Sequence, residues 1–186
     1  MSKVNKTTYA ILGMLSIAPM SGYEMRQTMQ QSTANFWSES DGQLYPTLSK
    51  LTKLALVMCK KDKTSTRDKK IYHLTTKGMT ELKKWLAKES ETNVVRSELM
   101  LKLFFGVNVA PEQNLEHIQT YRQQNKKMLA ALSEQTKKLM GEHKHSPHLP
   151  YWQMTIQYGI ALAQAKITWC DNITSKLQKL NRGKKS

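Results

Sequence analysis

The order of its elements predicts a mainly α-helical protein with one β hairpin. Residues 1–90 contain four short helical patterns and two β-prone runs, "LVMCKK" and "KIYHL", in the order helix, helix, helix, strand, strand, helix. Residues 91–186 contain a short apolar helix and two helical patterns of about 30 residues each. The first order is that of a winged helix-turn-helix with a two-stranded wing, and the second predicts an all-α domain with two long helices. We therefore expect a DNA-binding domain over residues 1–90 and a helical dimerisation domain over residues 91–186.

Capping residues and apolar spacing indicate the first two helices. "TTYAILGMLSI" is an apolar helix with Thr7 or Thr8 as its N-cap. Ser21 precedes the second helix and Glu24 stands three residues later, which is the spacing of a capping box.

The third helix, in "SDGQLYPTLSKL", has two faces of different composition. Leu44, Leu48 and Leu51 recur at i, i+4 and i+7, which is the spacing of a core-facing stripe. The outward side carries amide, phenol, hydroxyl and ammonium groups, which suit the base edges of a major groove. The residues expected to face DNA are Gln43, Tyr45, Pro46, Ser49, Lys50 and Lys53.

Pro46 lies inside this helix, where it should remove the backbone hydrogen bond to the carbonyl of Gly42. It falls within the early turns, since Ser40 or Asp41 is the expected cap. We therefore predict a tight or irregular first turn.

Basic charge concentrates in the third helix and the hairpin. The chain carries 29 Lys and Arg against 14 Asp and Glu, a net charge of +15. Residues 44–77 contain nine basic and two acidic side chains, whereas a solvated surface usually mixes the signs. This cluster favours contact with phosphates, although the second half of the chain is also basic. The expected contacts in the hairpin are Lys61, Lys63, Arg67, Lys69 and Lys70.

The two long helical patterns predict a dimerisation arm. Pro111 stands at the first turn of one helix, and the other runs from about Leu149 to Leu180. Each would be roughly 45 Å long, which is too long for a small domain to cover. A hairpin that packs on itself and on the short helix near Leu99 is the alternative, but we expect a two-fold symmetric dimer. The expected interface residues are Leu115, Ile118, Leu129, Trp152, Ile156, Gly159, Ala163 and Leu177.

These segments resemble the PadR family of bacterial transcription regulators. "LYPTLSKLTKLALV", the basic hairpin and "KIYHLTTKGMTELKKWL" are similar to the family's third helix and wing, and "LGMLSIAPMSGYEMRQ" is similar to its first two helices. The C-terminal half resembles the dimerisation region of the longer members. The resemblance implies a dimeric winged-helix repressor with Tyr23, Tyr45, Pro46 and the basic wing residues at the DNA. Ser21, next to the start of the second helix, completes the expected DNA face.

The wing departs from the family pattern at two points. The family commonly has Gly before the "LV" of the first wing strand, where this chain has Ala55. A residue that ends a helix there often needs a positive φ, which Ala adopts at a cost of about 1 kcal/mol relative to Gly. The wing tip reads "KTSTRDKK", where the family often places Gly near Arg.

The resemblance also implies a small-molecule effector, because several family members respond to such molecules. A phenolic acid or a drug-like aromatic is the expected class. Aromatic side chains concentrate in the second half, where they can line an apolar cavity, although at helical spacing they are more often core. The candidate pocket residues are Phe105, Trp152, Tyr158 and Trp169.

Metal binding and catalysis have little support in the sequence. His143, His145 and His148 form an HxHxxH pattern, and imidazoles bind zinc, nickel or copper. No nearby Cys completes a ligand set, so we expect a polar loop and no metal or other cofactor. The sequence has no Gly-rich phosphate loop, nucleophile elbow or HExxH, so we expect no enzyme.

Cysteine use and hydropathy indicate a reduced, cytoplasmic protein. Cys59 and Cys170 have no CxxC partner and are expected to be small buried hydrophobes. No segment reaches the ~18 consecutive apolar residues of a membrane span, so we expect no membrane partner.

The sequence as a whole predicts a homodimeric regulator that binds double-stranded DNA, a repressor released by a small-molecule effector. Such an effector must bind the released conformation more tightly than the DNA-bound one. Two alternatives stay open: a metal-responsive or ligand-binding regulator, and a basic helical interaction protein that does not read DNA sequence.

Overall fold

The computed structural model describes residues 5–61, 69–91 and 96–183. Its architecture confirms the expected fold class, a winged helix-turn-helix followed by an all-α part with two long helices. The chain divides into two compact units, Met1–Thr92 and Asn93–Ser186. In chain order the described elements are α1 (Lys6–Ile17), α2 (Gly22–Ser32), α3 (Asp41–Lys53), β1 (Val57–Lys61), β2 (Lys70–Leu74), α4 (Thr76–Leu86), α5 (Glu98–Phe104), a 3₁₀ turn (Gly106–Asn108), α6 (Pro111–Glu142) and α7 (Leu149–Gly183).

The first unit is built around α1, which packs against α2, α3, α4 and β2. Ile11 and Leu12 of this helix are fully buried. The three leucines of α3 that share its predicted inner face, Leu44, Leu48 and Leu51, are buried in the same core. Residues three or four positions apart share one face of a helix. Because these leucines are buried, the opposite face of α3 points outward.

The wing is an antiparallel hairpin in which Val57 pairs with Leu74 and Lys61 with Lys70. A further bridge joins it to the segment between α1 and α2. Met20 N donates to the carbonyl of Tyr72 at 3.2 Å, and Tyr72 N donates to the carbonyl of Met20 at 3.0 Å. The base of the wing is therefore bonded to the chain immediately before α2.

Side-chain caps begin α1 and α4. Asn5, and not the expected Thr7 or Thr8, caps α1 by accepting from Thr7 N at 3.0 Å. Thr75 caps α4 by accepting from Gly78 N at 3.0 Å. A Cβ at Gly78 would lie 2.1 Å from the carbonyl oxygen of Leu56, the residue before β1. Only Gly therefore lets α4 approach the start of the wing this closely.

Helix α3 ends in a left-handed turn at Ala55, whose φ is 55°. Leu56 N donates to the carbonyl of Leu51 and Ala55 N donates to that of Thr52, both at 3.0 Å. These two bonds form a Schellman motif, which places its C′ residue in the left-handed region. The positive φ expected where the chain departs from the family pattern is thus confirmed.

The second unit is a hairpin of the two long helices α6 and α7, and Pro111 occupies the first turn of α6 as expected. Ile118, Ile156 and Ala163, which belong to the predicted dimer stripe, are at most 3% exposed within a single chain. Packing of the hairpin on itself thus accounts for these side chains without a second chain. Of the other stripe residues, Gly159 is also buried, and the half-buried ones are Leu115, Leu129, Trp152 and Leu177. The dimer role of the stripe stays a prediction.

Cys170 is fully buried in the hairpin, as expected, and burial raises the pKa of its thiol. Cys59 on β1 is only half-buried. Across the described residues, the structure contains no helix that is both long and apolar enough to span a membrane.

Replacing Ala55 with Gly should raise the free energy of unfolding by about 1 kcal/mol, because Gly takes a positive φ without strain at Cβ. Urea unfolding of the full chain measures the change. Ala87 is the matched control, since it ends α4 with a φ of −82°, where Gly has no such advantage. A55G that is no more stable than the wild type, or A87G that is stabilised equally, would contradict this account.

Candidate nucleic-acid interface

The outward face of α3 is accessible along its whole length. This face, called the α3 face below, is bordered by the exposed Asp41 in the first turn, and its last turn supplies two lysines that are well placed at the negative end of the helix dipole. All six of its predicted members are exposed: Gln43, Tyr45, Pro46, Ser49, Lys50 and Lys53.

The first turn of α3 is tight, as Pro46 predicted. The carbonyl of Ser40 accepts from both Gln43 N and Leu44 N at 3.0 Å, and the first of these bonds spans only three residues. Pro46 has no N–H for the carbonyl of Gly42, and its ring is exposed on the α3 face. The helix thus tolerates proline near its start and presents a rigid flat ring outward.

Tyr45 is held against the start of α2. A Cβ built on Gly22 would lie 2.6 Å from Cε1 of Tyr45, so only Gly lets the ring rest on the α2 backbone. The ring is still 47% exposed, which leaves a face and the hydroxyl open. Tyr23, the residue after Gly22, is also exposed, and its hydroxyl accepts from Gln27 Nε2 at 2.8 Å. The two tyrosines are therefore oriented before any ligand binds.

Sequence reasoning missed the role of Gly22. Its position directly after a capping Ser is common for any helix start, and nothing local signals that a ring from another helix lies on it. The ion pair between Arg26 and Asp41, at 2.7 Å, was missed for the same reason. It joins α2 to the first turn of α3 and helps to fix the angle between them.

The Glu24 carboxylate accepts hydrogen bonds from the cap of α2 and from the wing. Its Oε2 accepts from Ser21 N at 2.9 Å and from Ser21 Oγ at 2.8 Å, while Ser21 Oγ accepts from Glu24 N at 3.2 Å, so the predicted capping box is confirmed. Its Oε1 accepts from Lys69 Nζ at 2.7 Å. Lys69, then Ser21, lowers the pKa of Glu24 from 4.5 to about 2.

The bonds of Glu24 to Ser21 and Lys69 form a junction between α2 and the wing. They engage two residues that the sequence predicted to contact DNA. Ser21 is buried, with its hydroxyl engaged in the cap, and Lys69 is half-buried in an ion pair. Both hold the wing against α2. Lys61 and Lys70 of the strands are exposed, whereas the predicted Lys63 and Arg67 lie outside the described residues.

A groove of about 400 Å³ separates α3 from the wing strands. Lys53 stands on its α3 side and Lys70 on its wing side, and burial raises the pKa of the Tyr72 phenol between them. The groove is lined by Ser49, Thr52, Lys53, Cys59, Lys70 and Tyr72. It joins the α3 face and the wing into one continuous basic surface.

The four aromatic side chains predicted for an effector pocket do not share a cavity among the described residues. Phe105 lines a cavity of about 440 Å³ at the start of α6, and Tyr158 is 58% exposed on α7. Trp169 packs edge-on against Tyr121, with ring centroids 6.4 Å apart. These side chains are spread along the second unit and do not meet at one site. The effector pocket therefore stays a prediction.

The candidate histidines pack on a tryptophan. The rings of His143 and His148 each lie 5.4 Å from that of Trp152, one edge-on and one stacked. Within residues 5–61, 69–91 and 96–183, no group of three or more His, Cys, Asp or Glu side chains is arranged to hold a metal ion. Two of the three histidines of the HxHxxH pattern therefore pack on Trp152 at the α6–α7 turn.

Comparison with known proteins accounts for both halves of the chain. Residues 11–84 match the family model described as the transcriptional regulator PadR-like family, and residues 95–178 match that described as virulence activator alpha C-term. The negative transcriptional regulator PadR of Bacillus subtilis (strain 168) is 27% identical over 177 residues, which covers 92% of this chain and 97% of the relative. Residues 11–84 thus belong to the PadR-like family. The matched family and this relative are transcriptional regulators.

Two crystal structures of B. subtilis PadR are similar to the PadR-like chain over nearly its full length. The complex with operator DNA has a TM-score of 0.82 at 26% identity and covers 93% of this chain and 99% of the other. The complex with p-coumaric acid has a TM-score of 0.74 at 26% identity and covers 92% and 98%.

The junction at Glu24 should make stability depend on acid pH. Because the pKa of Glu24 is lower in the folded chain than its ordinary 4.5, its ionised form stabilises the fold above that pH. This contribution is lost as the pH falls from 4.5 towards 2. E24Q should therefore be less stable than the wild type at pH 7, and the difference should shrink below pH 4 in urea unfolding.

Glu134 supplies the control, since it faces Lys137 across 3.7 Å with both side chains exposed. E134Q should change the free energy of unfolding little at either pH. An E24Q deficit that is the same at pH 7 and pH 3 would show that the carboxylate charge does not stabilise the junction.

Proposed function

We propose that this PadR-like protein is a dimeric, cytoplasmic DNA-binding repressor that a small-molecule effector releases from its operator. In this proposal residues 1–90 bind DNA and residues 91–186 dimerise. The observation that carries it is the α3 face, an exposed helix surface that bears two lysines and lies beside a basic wing. That combination suits a major groove flanked by phosphates.

Binding would divide between base contacts and phosphate contacts. Gln43 suits adenine, Lys50 suits guanine, and the rings of Tyr45 and Pro46 suit a thymine methyl. The exposed wing lysines would contact phosphates, which gives affinity and orientation but little sequence preference. The operator complex of B. subtilis PadR supports this mode of action.

Dimerisation would place two α3 faces in successive major grooves about one helical turn apart. Because much of the predicted stripe is buried within the hairpin, we assign the interface to the opposite side of α7. Large apolar side chains recur there at intervals of three or four residues and are 38–69% exposed. This outward row consists of Tyr151, Met154, Tyr158 and Leu162.

An effector would act by shifting the separation of the two α3 faces. It must bind the released arrangement more tightly than the DNA-bound one. The complex of B. subtilis PadR with p-coumaric acid supports an aromatic acid as its class.

Charge reversal on α3 tests DNA binding. K50E/K53E should lower affinity for operator DNA at least about tenfold and reduce the slope of log affinity against log salt by about one for each phosphate that is no longer neutralised. Fluorescence anisotropy over a salt series measures both. The DNA can be selected from a random duplex pool by the wild-type protein.

The matched control reverses the same charge on α4. Lys83 and Lys84 are exposed in the last turn of that helix, which packs on α1. K83E/K84E should leave the affinity within about twofold of wild type, apart from the effect of net charge. Equal losses in the two variants would mean that affinity follows total charge rather than the α3 face.

Sedimentation equilibrium tests the dimer. The wild type should have twice the chain mass of 21.4 kDa at micromolar concentration. M154K/Y158K should sediment as a monomer, because two lysines on the outward row would be desolvated on association. Q157K/Q164K adds the same charges at exposed positions elsewhere on α7 and should remain dimeric. A monomeric wild type, or a dimeric M154K/Y158K, would exclude this interface.

A further inference from the structure

The first unit contains a second concave site, separate from the α3 face and the wing. It encloses about 390 Å³ between the start of α1 and the segment after α4. Its walls are three aromatic rings, those of Tyr9, Trp37 and Trp85, and its rim carries Glu89 and Glu91. We call this site the aromatic cleft.

The rings of the aromatic cleft are fixed in place. Tyr9 and Trp85 stack with centroids 4.6 Å apart and planes inclined by 6°. Trp37 Nε1 donates to Glu39 Oε1 at 2.6 Å, which holds the second indole. Trp85 remains 36% exposed, so part of its ring is open to solvent. The cleft therefore offers preformed π surfaces at no cost in ordering.

Carboxylates lie both behind the rings of the aromatic cleft and on its rim. The Tyr9 hydroxyl donates to Glu81 Oε1 at 3.3 Å, so a further carboxylate stands behind a ring of the wall. Burial, then Glu81, raises the pKa of Tyr9, which keeps its phenol neutral. With Glu39, Glu89 and Glu91, four carboxylates surround the cleft.

Among the residues that line the cleft, two lysines oppose these carboxylates. Lys6 Nζ lies 3.2 Å from Glu91 Oε2 and is neutralised by it, and Lys88 is the other cation of the lining. The charges of the lining therefore balance, and the excess of negative charge comes from Glu39 and Glu81, which are hydrogen-bonded to Trp37 and Tyr9. Negative charge behind the rings favours a cation on their open faces.

We propose that the aromatic cleft binds a flat organic cation, such as an aromatic quaternary ammonium. Ring faces attract a cation through their quadrupole, and Trp and Tyr do so most strongly. The volume lies in the range of small-molecule sites. The cation would stack on Trp85 and Trp37 with its charge towards Glu89 and Glu91. The site is independent of the proposed DNA binding, because its occupation requires neither DNA nor a dimer.

Isothermal titration calorimetry of the full chain without DNA tests the proposal. The probes are N-methylquinolinium and 2-naphthoate, two bicyclic molecules of similar size and opposite charge. N-methylquinolinium should bind at least about tenfold more tightly than 2-naphthoate, as expected for a cation–π contact supported by carboxylates. Absence of N-methylquinolinium binding up to millimolar concentration, or equal or tighter binding of 2-naphthoate, overturns the proposal.

Variants locate the binding. E89Q/E91Q, at exposed positions, should weaken N-methylquinolinium binding at least about threefold and leave 2-naphthoate binding unchanged or tighter. E134Q/E142Q removes two exposed carboxylates of α6 and should have no effect beyond net charge. W85L should abolish the stacking contact; if it does not fold, E89Q/E91Q still decides. Unchanged cation binding in E89Q/E91Q would exclude the cleft as the site.

Discussion

The winged-helix unit depends on how the chain is bonded at the start of α2. There Glu24 accepts from Ser21 with one oxygen and from Lys69 with the other, while Met20 pairs with Tyr72 of β2. A hairpin of two short strands is only marginally stable by itself. These bonds tie it to a helix whose own position is set by the core. The wing and α2 consequently form one rigid unit. The ring of Tyr45 packs on this unit at Gly22.

This arrangement separates the residues that hold the surface from those that are free to bind. Lys69 and Ser21 have the chemistry of DNA contacts, yet their polar groups are committed to Glu24. Lys50 and Lys53 project from α3, where the last turn of the helix favours a positive charge. Neighbouring positive charges repel one another, so the half-buried Glu24 carboxylate beside the wing stabilises this basic arrangement.

Local rules predicted local structure well. The leucine spacing of α3, the capping box, the tight turn before Pro46 and the positive φ of Ala55 depend on a few neighbouring residues, and all are present. Contacts between segments that are distant in the sequence could not be predicted from it. Periodicity shows which side chains share a helix face, but not what covers that face, so the sequence could not show that much of the α6–α7 stripe is buried within one chain. The stack of Tyr9 on Trp85 joins the first and last helices of the first unit, and no spacing encodes it.

Burial of the stripe also determines what kind of dimer this chain is able to form. If the stripe were the interface, each long helix would lack a covered face until a partner bound, and folding and association would be one event. With Ile118, Ile156 and Cys170 already covered, the hairpin has its own core. Association through the outward row of α7 would then join preformed bodies, as in an interface between folded proteins. The affinity of that contact, and not the stability of the fold, would set the concentration at which two α3 faces are available together, and a ligand would need to shift only this weaker equilibrium to control DNA binding.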